Sequence, residues 1–112
     1  MTTKIKQGDT HNPLVVVLYR DGVVVDLTDA EAVYFYMRPK YGGTSVGGSA
    51  AFDDREGGQV SYAWTASDLE VAGNHEGEFE VMWSGDKPET FPNGTYIEIE
   101  VLPDLGAGGT PA

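Results

Sequence analysis

Apolar residues in this chain recur at every second position, in short runs separated by Gly, Asp, Asn and Pro. A period of two belongs to strands, whose side chains point alternately to opposite faces, and the punctuating residues belong to turns. The pattern predicts a short edge strand at Thr3–Lys6 and a long β-branched strand over Pro13–Tyr19, with its proline at the first position, where a missing N–H does least harm. Arg20-Asp21-Gly22 reads as a tight turn returning the chain into Val23–Val25, because Asp-Gly supplies the positive φ angles of a two-residue hairpin. Asp26–Ala30 is a small turn whose Asp and Thr side chains can bond nearby main-chain N–H groups.

From Ala32 to Arg38 the alternation sends Val33, Phe35 and Met37 inward and Tyr34, Tyr36 and Arg38 outward. Pro39–Ser49, rich in glycine and poor in apolar side chains, is the segment expected to be a mobile loop. A short strand over Ser49–Asp53 and a turn over Asp54–Gly58 lead into Gln59–Trp64, which puts Val60, Tyr62 and Trp64 on one face. Thr65–Glu70 alone has helical character, enough for one turn that Gly73 ends. Glu76–Ser84 alternates Phe79, Val81 and Trp83 against Glu78, Glu80 and Met82, and Thr95–Leu102 alternates Ile97, Ile99 and Val101 against Glu98, Glu100 and Leu102. These two last strands are expected to be neighbours, with Trp64 and Trp83 filling the space between sheets.

Seven to eight short strands with turn signals every ten residues or so predict an all-β fold, an immunoglobulin-like antiparallel β-sandwich. A small barrel is the alternative. Residues 1–102 form the expected domain, and Gly/Pro-rich 103–112 has few side chains to bury and is expected to be a flexible C-terminal arm.

Composition narrows the function. The 112 residues suffice for one core, and 40% of them are hydrophobic. Cysteine is absent, which excludes disulfides, thiolate metal sites and Cys nucleophiles. Seven Lys plus Arg stand against 18 Asp plus Glu, a formal charge of −11 that repels phosphate backbones and anionic lipid, so neither nucleic acid nor membrane is an expected partner. The first six residues lack the apolar stretch of a signal peptide, and Leu14–Tyr19, the longest apolar run, is far short of a membrane span. Synthesis in the cytoplasm without a signal peptide is the expectation.

Few residues invite chemistry. His11 and His75 both fall in turn-like contexts with no partner at a catalytic or metal-ligand spacing, and both read as surface residues. No serine sits in a Gly-x-Ser-x-Gly elbow. Asp53, Asp54 and Glu56 beside Gly57 lack the alternating spacing of a calcium loop and read as a solvated turn. No catalytic, cofactor-binding or metal-binding residue is therefore assigned. The outward face is more informative. If the strands carrying Glu78, Glu80, Glu98 and Glu100 pair, four carboxylates share one sheet face, where like charges oppose each other unless a basic partner compensates. Outward Tyr34 and Tyr36 belong to the residue type enriched at protein interfaces.

Several fragments, in order, carry a family resemblance: Ile5-Lys6-Gln7-Gly8-Asp9-Thr10, Asp26-Leu27-Thr28, Val33–Arg38, Gly58–Thr65, Asp68-Leu69 with Gly73, Glu78–Val81, and Glu89–Asn93 through Tyr96-Ile97. Together, over roughly residues 4 to 102, they resemble the N-terminal domain of tailed-phage baseplate upper proteins. His75 departs from that pattern, which more often has tyrosine there. The resemblance implies a non-enzymatic virion protein, an immunoglobulin-like module in multiple copies bound to other virion subunits of the tail, baseplate or capsid exterior, with no catalytic residue to carry over. Tyr34, Tyr36, Glu78, Glu80, Glu98 and Glu100 are its candidate partner-binding residues. Two other classes compete: a small carbohydrate-binding module stacking sugars on Tyr34, Tyr36 and Tyr41, and a small hydrolase built around His11 or His75.

Overall fold

The computed structural model describes residues 2–105. Eleven strand segments and one 3-10 turn are found among them: β1 (Thr2–Lys6), β2 (Leu14–Val17), β3 (Tyr19–Arg20), β4 (Val23–Val24), β5 (Ala30–Pro39), β6 (Val46–Ser49), β7 (Ala51–Asp54), β8 (Gln59–Tyr62), the turn Ala66–Leu69, β9 (Gly73–Trp83), β10 (Lys87–Phe91) and β11 (Ile97–Leu102). Residues 106–112, most of the expected C-terminal arm, lie outside the described residues. So does Met1.

The strands form a sandwich. One sheet runs β1-β11-β9-β5-β6, with β10 also on β9, and the second runs β2-β8-β7, while β3 and β4 make a small hairpin. β5 and β9 pair along nearly their whole lengths, from Ala30↔Trp83 to Pro39↔His75. The other edge of β9 is shared: Gly73–Gly77 pair with β11 and Phe79–Trp83 with β10. All pairings are antiparallel except that of β1 with β11, which is parallel.

Three local expectations change. The Pro13–Tyr19 strand divides at Leu18, whose N–H donates to Gly58 O at 2.8 Å while its carbonyl accepts from Val25 N at 3.0 Å. At that residue the chain leaves β8 and takes up the β3–β4 hairpin, whose Asp21 and Gly22 have the positive φ values the turn requires, 54° and 78°. The segment read as a mobile loop ends in strand β6, which pairs Val46–Ser49 with Met37–Tyr34. Glycine permits it: a Cβ on Gly47, at φ 134°, would stand 2.0 Å from Phe35 O. Finally, β10 was not anticipated by the alternation, because Lys87-Pro88-Glu89-Thr90 offers only polar residues and a proline before Phe91.

The core forms between the sheets around Phe35, which is fully buried. Its ring lies 4.9 Å from Tyr62, 5.0 Å from Phe79 and 5.6 Å from Trp64, the last at 85°, an edge-to-face geometry favoured by aromatic quadrupoles. Trp64 thus fills the inter-sheet space as expected, whereas Trp83 is only partly buried and packs against the margin of the core. It sits half-buried at the far end of β9, where its Nε1 donates to Glu89 at 2.9 Å. Glu89 also accepts from Arg20 Nε at 2.8 Å, so one carboxylate ties the β3–β4 hairpin to the β9–β10 hairpin. At the opposite end, Tyr62 Oη donates to buried Asp68 at 2.6 Å, and the same carboxylate oxygen accepts from Thr65 N at 2.8 Å. Burial and the adjacent Asp68 push the Tyr62 phenol well above its ordinary range.

Three outcomes follow. Phe35→Ala should cost about 3–5 kcal/mol in urea-denaturation experiments, a large part of the stability of so small a domain, whereas Trp83→Ala should leave a cooperatively folding chain. Hydrogen bonding from Arg20, aided by Trp83, holds the Glu89 carboxyl below its ordinary 4.5. A depressed folded-state value contributes stability above the unfolded value that is lost as pH falls through the folded one. Glu89→Gln should therefore be less stable than the parent at neutral pH, and thermal melts should show a shallower loss below about pH 4.5.

Candidate functional site

The outer face of the larger sheet is built by the strands' period of two. Because Val33, Phe35 and Met37 of β5 and Phe79 and Val81 of β9 are drawn into the core, Tyr34, Tyr36, Arg38, Glu76, Glu78 and Glu80 stand on the opposite side. Register then pairs them across the strands as Tyr34↔Glu80, Tyr36↔Glu78 and Arg38↔Glu76. The two tyrosine rings stack on each other, with centroids 6.3 Å apart and planes at 19°.

β11 adds Glu98 and Glu100 to the same face, but its register matches Glu98 with Glu76 and Glu100 with Asn74. The expected cluster of Glu78, Glu80, Glu98 and Glu100 is therefore divided into two halves. In one, acidic groups have counterparts: Arg38 Nη2 lies 3.5 Å from Glu76, Lys4 Nζ lies 3.9 Å from Glu100, and Thr2 Oγ1 donates to Glu98 at 3.0 Å. The two ion pairs are exposed, contribute little to stability and chiefly balance charge. In the other half, the side chains of Glu78 and Glu80 beside Tyr34 and Tyr36 have no hydrogen bond or ion pair among the described residues. Sequence reasoning missed Glu76, although it shares the i, i+2 spacing of Glu78 and Glu80, which is the signal that could have found it.

It also missed Tyr96. The chain between Phe91, opposite Phe79, and Ile97, opposite Gly77, uses five residues to advance two positions along β9. The surplus loops outward, and Tyr96 there faces the Arg38 guanidinium at 5.7 Å. A recess of about 130 Å³ results, with Tyr36, Arg38, Ser45, Glu76, Glu78 and Tyr96 around it. No local pattern announces this position, since it depends on where two distant strands pair.

The histidines divide. His11 is exposed, as expected, but His75 is buried at 3% exposure, contrary to its reading as a surface turn residue. β9 begins at Gly73, earlier than the alternation suggested, so His75 falls on the inward side, where its Nδ1 can donate to Gly73 O at 3.0 Å. No cluster of three or more His, Asp or Glu side chains among the described residues is arranged to hold a metal ion.

The fold and this face define a β-sandwich domain whose larger sheet presents an acidic, tyrosine-bearing surface. The chain belongs to the BppU N-terminal domain family, the N-terminal domain of baseplate upper proteins, whose model matches residues 2–92. It is a phage baseplate structural domain and, as such, a virion component. Its structure is similar to that of the N-terminal domain of phage TP901-1 ORF48, with a TM-score of 0.68 at 15% identity, covering 91% of this chain and 85% of that one. At that identity the likeness concerns the fold. No curated protein matches the chain.

Proposed function

We propose that this domain is a non-catalytic, immunoglobulin-like attachment module of the phage baseplate, held among other virion proteins in several copies through the outer face of its larger sheet. The observation that carries the reading is the uncompensated half of that face. The side chains of Glu78 and Glu80 stand beside stacked Tyr34 and Tyr36 with no counter-charge among the described residues, while Arg38 and Lys4 pair with Glu76 and Glu100 and Thr2 donates a hydrogen bond to Glu98. Such a surface suits a basic patch on a partner: the carboxylates steer and orient the encounter, and the tyrosines bury apolar area while keeping their hydroxyls for hydrogen bonds. Glu98 and Glu100 form the rim, where charge affects the rate of association more than its strength. Membership of a baseplate domain family supports the choice of partner. Repetition of a weak contact around a symmetric particle supplies the avidity that one small face lacks.

Charge reversal tests it. Glu78→Lys combined with Glu80→Lys should reduce attachment to purified tails at least tenfold, and Tyr36→Ala should weaken it with less effect on salt dependence, while all three positions tolerate substitution without loss of cooperative folding. Copy counting by mass spectrometry on separated heads and tails should find the chain with the tails. Recovery with the heads at high copy number would make it a capsid-decorating protein instead.

A further inference from the structure

β2 is an edge strand, because the smaller sheet ends with it and its only pairing among the described residues is with β8. Antiparallel pairing turns the main-chain groups of alternate residues toward the neighbour and those between them away from it. The bond from Leu18 N to Gly58 O, together with the register Val16↔Val60 and Leu14↔Tyr62, directs Leu14, Val16 and Leu18 at β8. The N–H and C=O groups of Val15 and Val17 therefore point to the open side and have no main-chain partner among the described residues.

The other edges of the two larger sheets are defended against such pairing. β1 carries Lys4 and Lys6, β7 carries Asp53 and Asp54, β10 carries Lys87 and Pro88, and β6 has Gly47 and Gly48. Charges, proline and broken geometry are the usual means of keeping an edge from acquiring a strand. β2, Leu-Val-Val-Val, has none of them, and Val15 is half exposed. Beside it runs a groove of about 480 Å³, with Val15, Val17 and Tyr19 on one wall and Phe91, Tyr96 and Ile97 on the other. No charged side chain among the described residues lines it.

From these features we infer that the β2 edge receives an extended segment of the basic virion partner, added as a fourth strand to the smaller sheet, uncharged where it lies in the groove and apolar at alternate positions. The inference rests on the attachment reading and deepens it. Tyr96 lines both this groove and the recess on the acidic face, so one partner can engage both surfaces continuously. Charge argues for a different protein as the source, because a second copy would bring another formal −11 against the first. The chain's own residues 106–112, Gly-Ala-Gly-Gly-Thr-Pro-Ala, carry no side chain able to fill an apolar groove. At about 3.3 Å per residue, β2 offers roughly 13 Å of edge, which suits a segment of four or five residues. Main-chain hydrogen bonds to Val15 and Val17 would give attachment, and the groove would select side chains.

The test uses the full chain and tails from a phage lacking its gene, with the bound fraction measured by co-sedimentation. Val15→Pro removes an outward N–H and leaves every bond to β8 in place, Val15→Lys puts a charge on the edge with the backbone unchanged, and Val15→Thr is the conservative control. The parent and Val15→Thr should bind, with slowed amide exchange over residues 14–18 in the bound chain, and both Val15→Lys and Val15→Pro should bind at least tenfold more weakly. Because Val15→Lys keeps the N–H that proline removes, its thermal melt certifies folding should the proline variant fail to fold. Binding of folded Val15→Lys equal to the parent, with exchange unchanged, overturns the strand-addition proposal and leaves attachment through the acidic face standing. Failure of the parent itself to bind the depleted tails overturns the attachment reading and this inference with it. Self-association of the free parent chain that Val15→Lys abolishes would replace the partner segment with a second copy and overturn the proposal in its stated form.

Discussion

Phe35 lies without exposed surface between the two sheets, and the residues around it are chosen to admit its ring. Gly77, its neighbour on β9, has no room for more: a Cβ there would come within 2.9 Å of Ile99 Cδ1 and 3.0 Å of the Phe35 ring. On the other side, Gly47 lets β6 approach the Phe35 carbonyl more closely than any side chain would allow. Phe35 thus fits β5 closely to both of its neighbours, through its ring on the β9 side and its carbonyl on the β6 side. Since a slip of one residue would exchange inward and outward faces, the same packing decides that Tyr34 and Tyr36 meet Glu80 and Glu78 on the outside. The interaction face follows from the core.

Closing a sandwich of this size without disulfides leaves its ends to polar groups. Asp68 gathers Tyr62 and the start of the 3-10 turn, Glu89 gathers Arg20 and Trp83, and Arg55 Nη1 donates to the carbonyls of Leu27 and Ala30 at 3.0 and 2.8 Å. Each satisfies main-chain or side-chain groups that would otherwise be desolvated without a partner, a loss larger than the net gain of an ordinary hydrogen bond. No buried side-chain nitrogen or oxygen among the described residues lacks a partner. The charged residues of the turns are therefore part of the frame, while the charges of the outer face have few partners within the chain.

That division bears on function. Acidic residues spread over a surface serve solubility, but here they are placed unevenly: Arg38 and Lys4 pair with Glu76 and Glu100, Thr2 hydrogen-bonds Glu98, and the side chains of the pair next to the tyrosines have no counterpart among the described residues. The edges are likewise uneven, with β2 alone of the five left uncharged and unbroken. A virion module that must join a lattice of subunits without aggregating beforehand needs most of its perimeter closed and a limited part open.

Much of this was legible in the chain. The alternation in Val33–Met37, Val60–Trp64 and Phe79–Val81 determined which side chains entered the core, because burial acts on each side chain according to the strand's own period, and Asp21-Gly22 determined a hairpin because few other residues adopt positive φ there. The outward positions of Tyr34, Tyr36, Glu78 and Glu80 followed from the same period. What lay beyond local pattern was every property that depends on which strand lies beside which. The parallel pairing of β1, the offset that set Glu98 against Glu76, the burial of His75, the half-exposure of Trp83 and the looping-out of Tyr96 arise from contacts between residues far apart in sequence. Local pattern assigns a residue to a face; only the packed sheets, through register and the closing of the sandwich around Phe35, assign it neighbours, and the candidate site consists of neighbours.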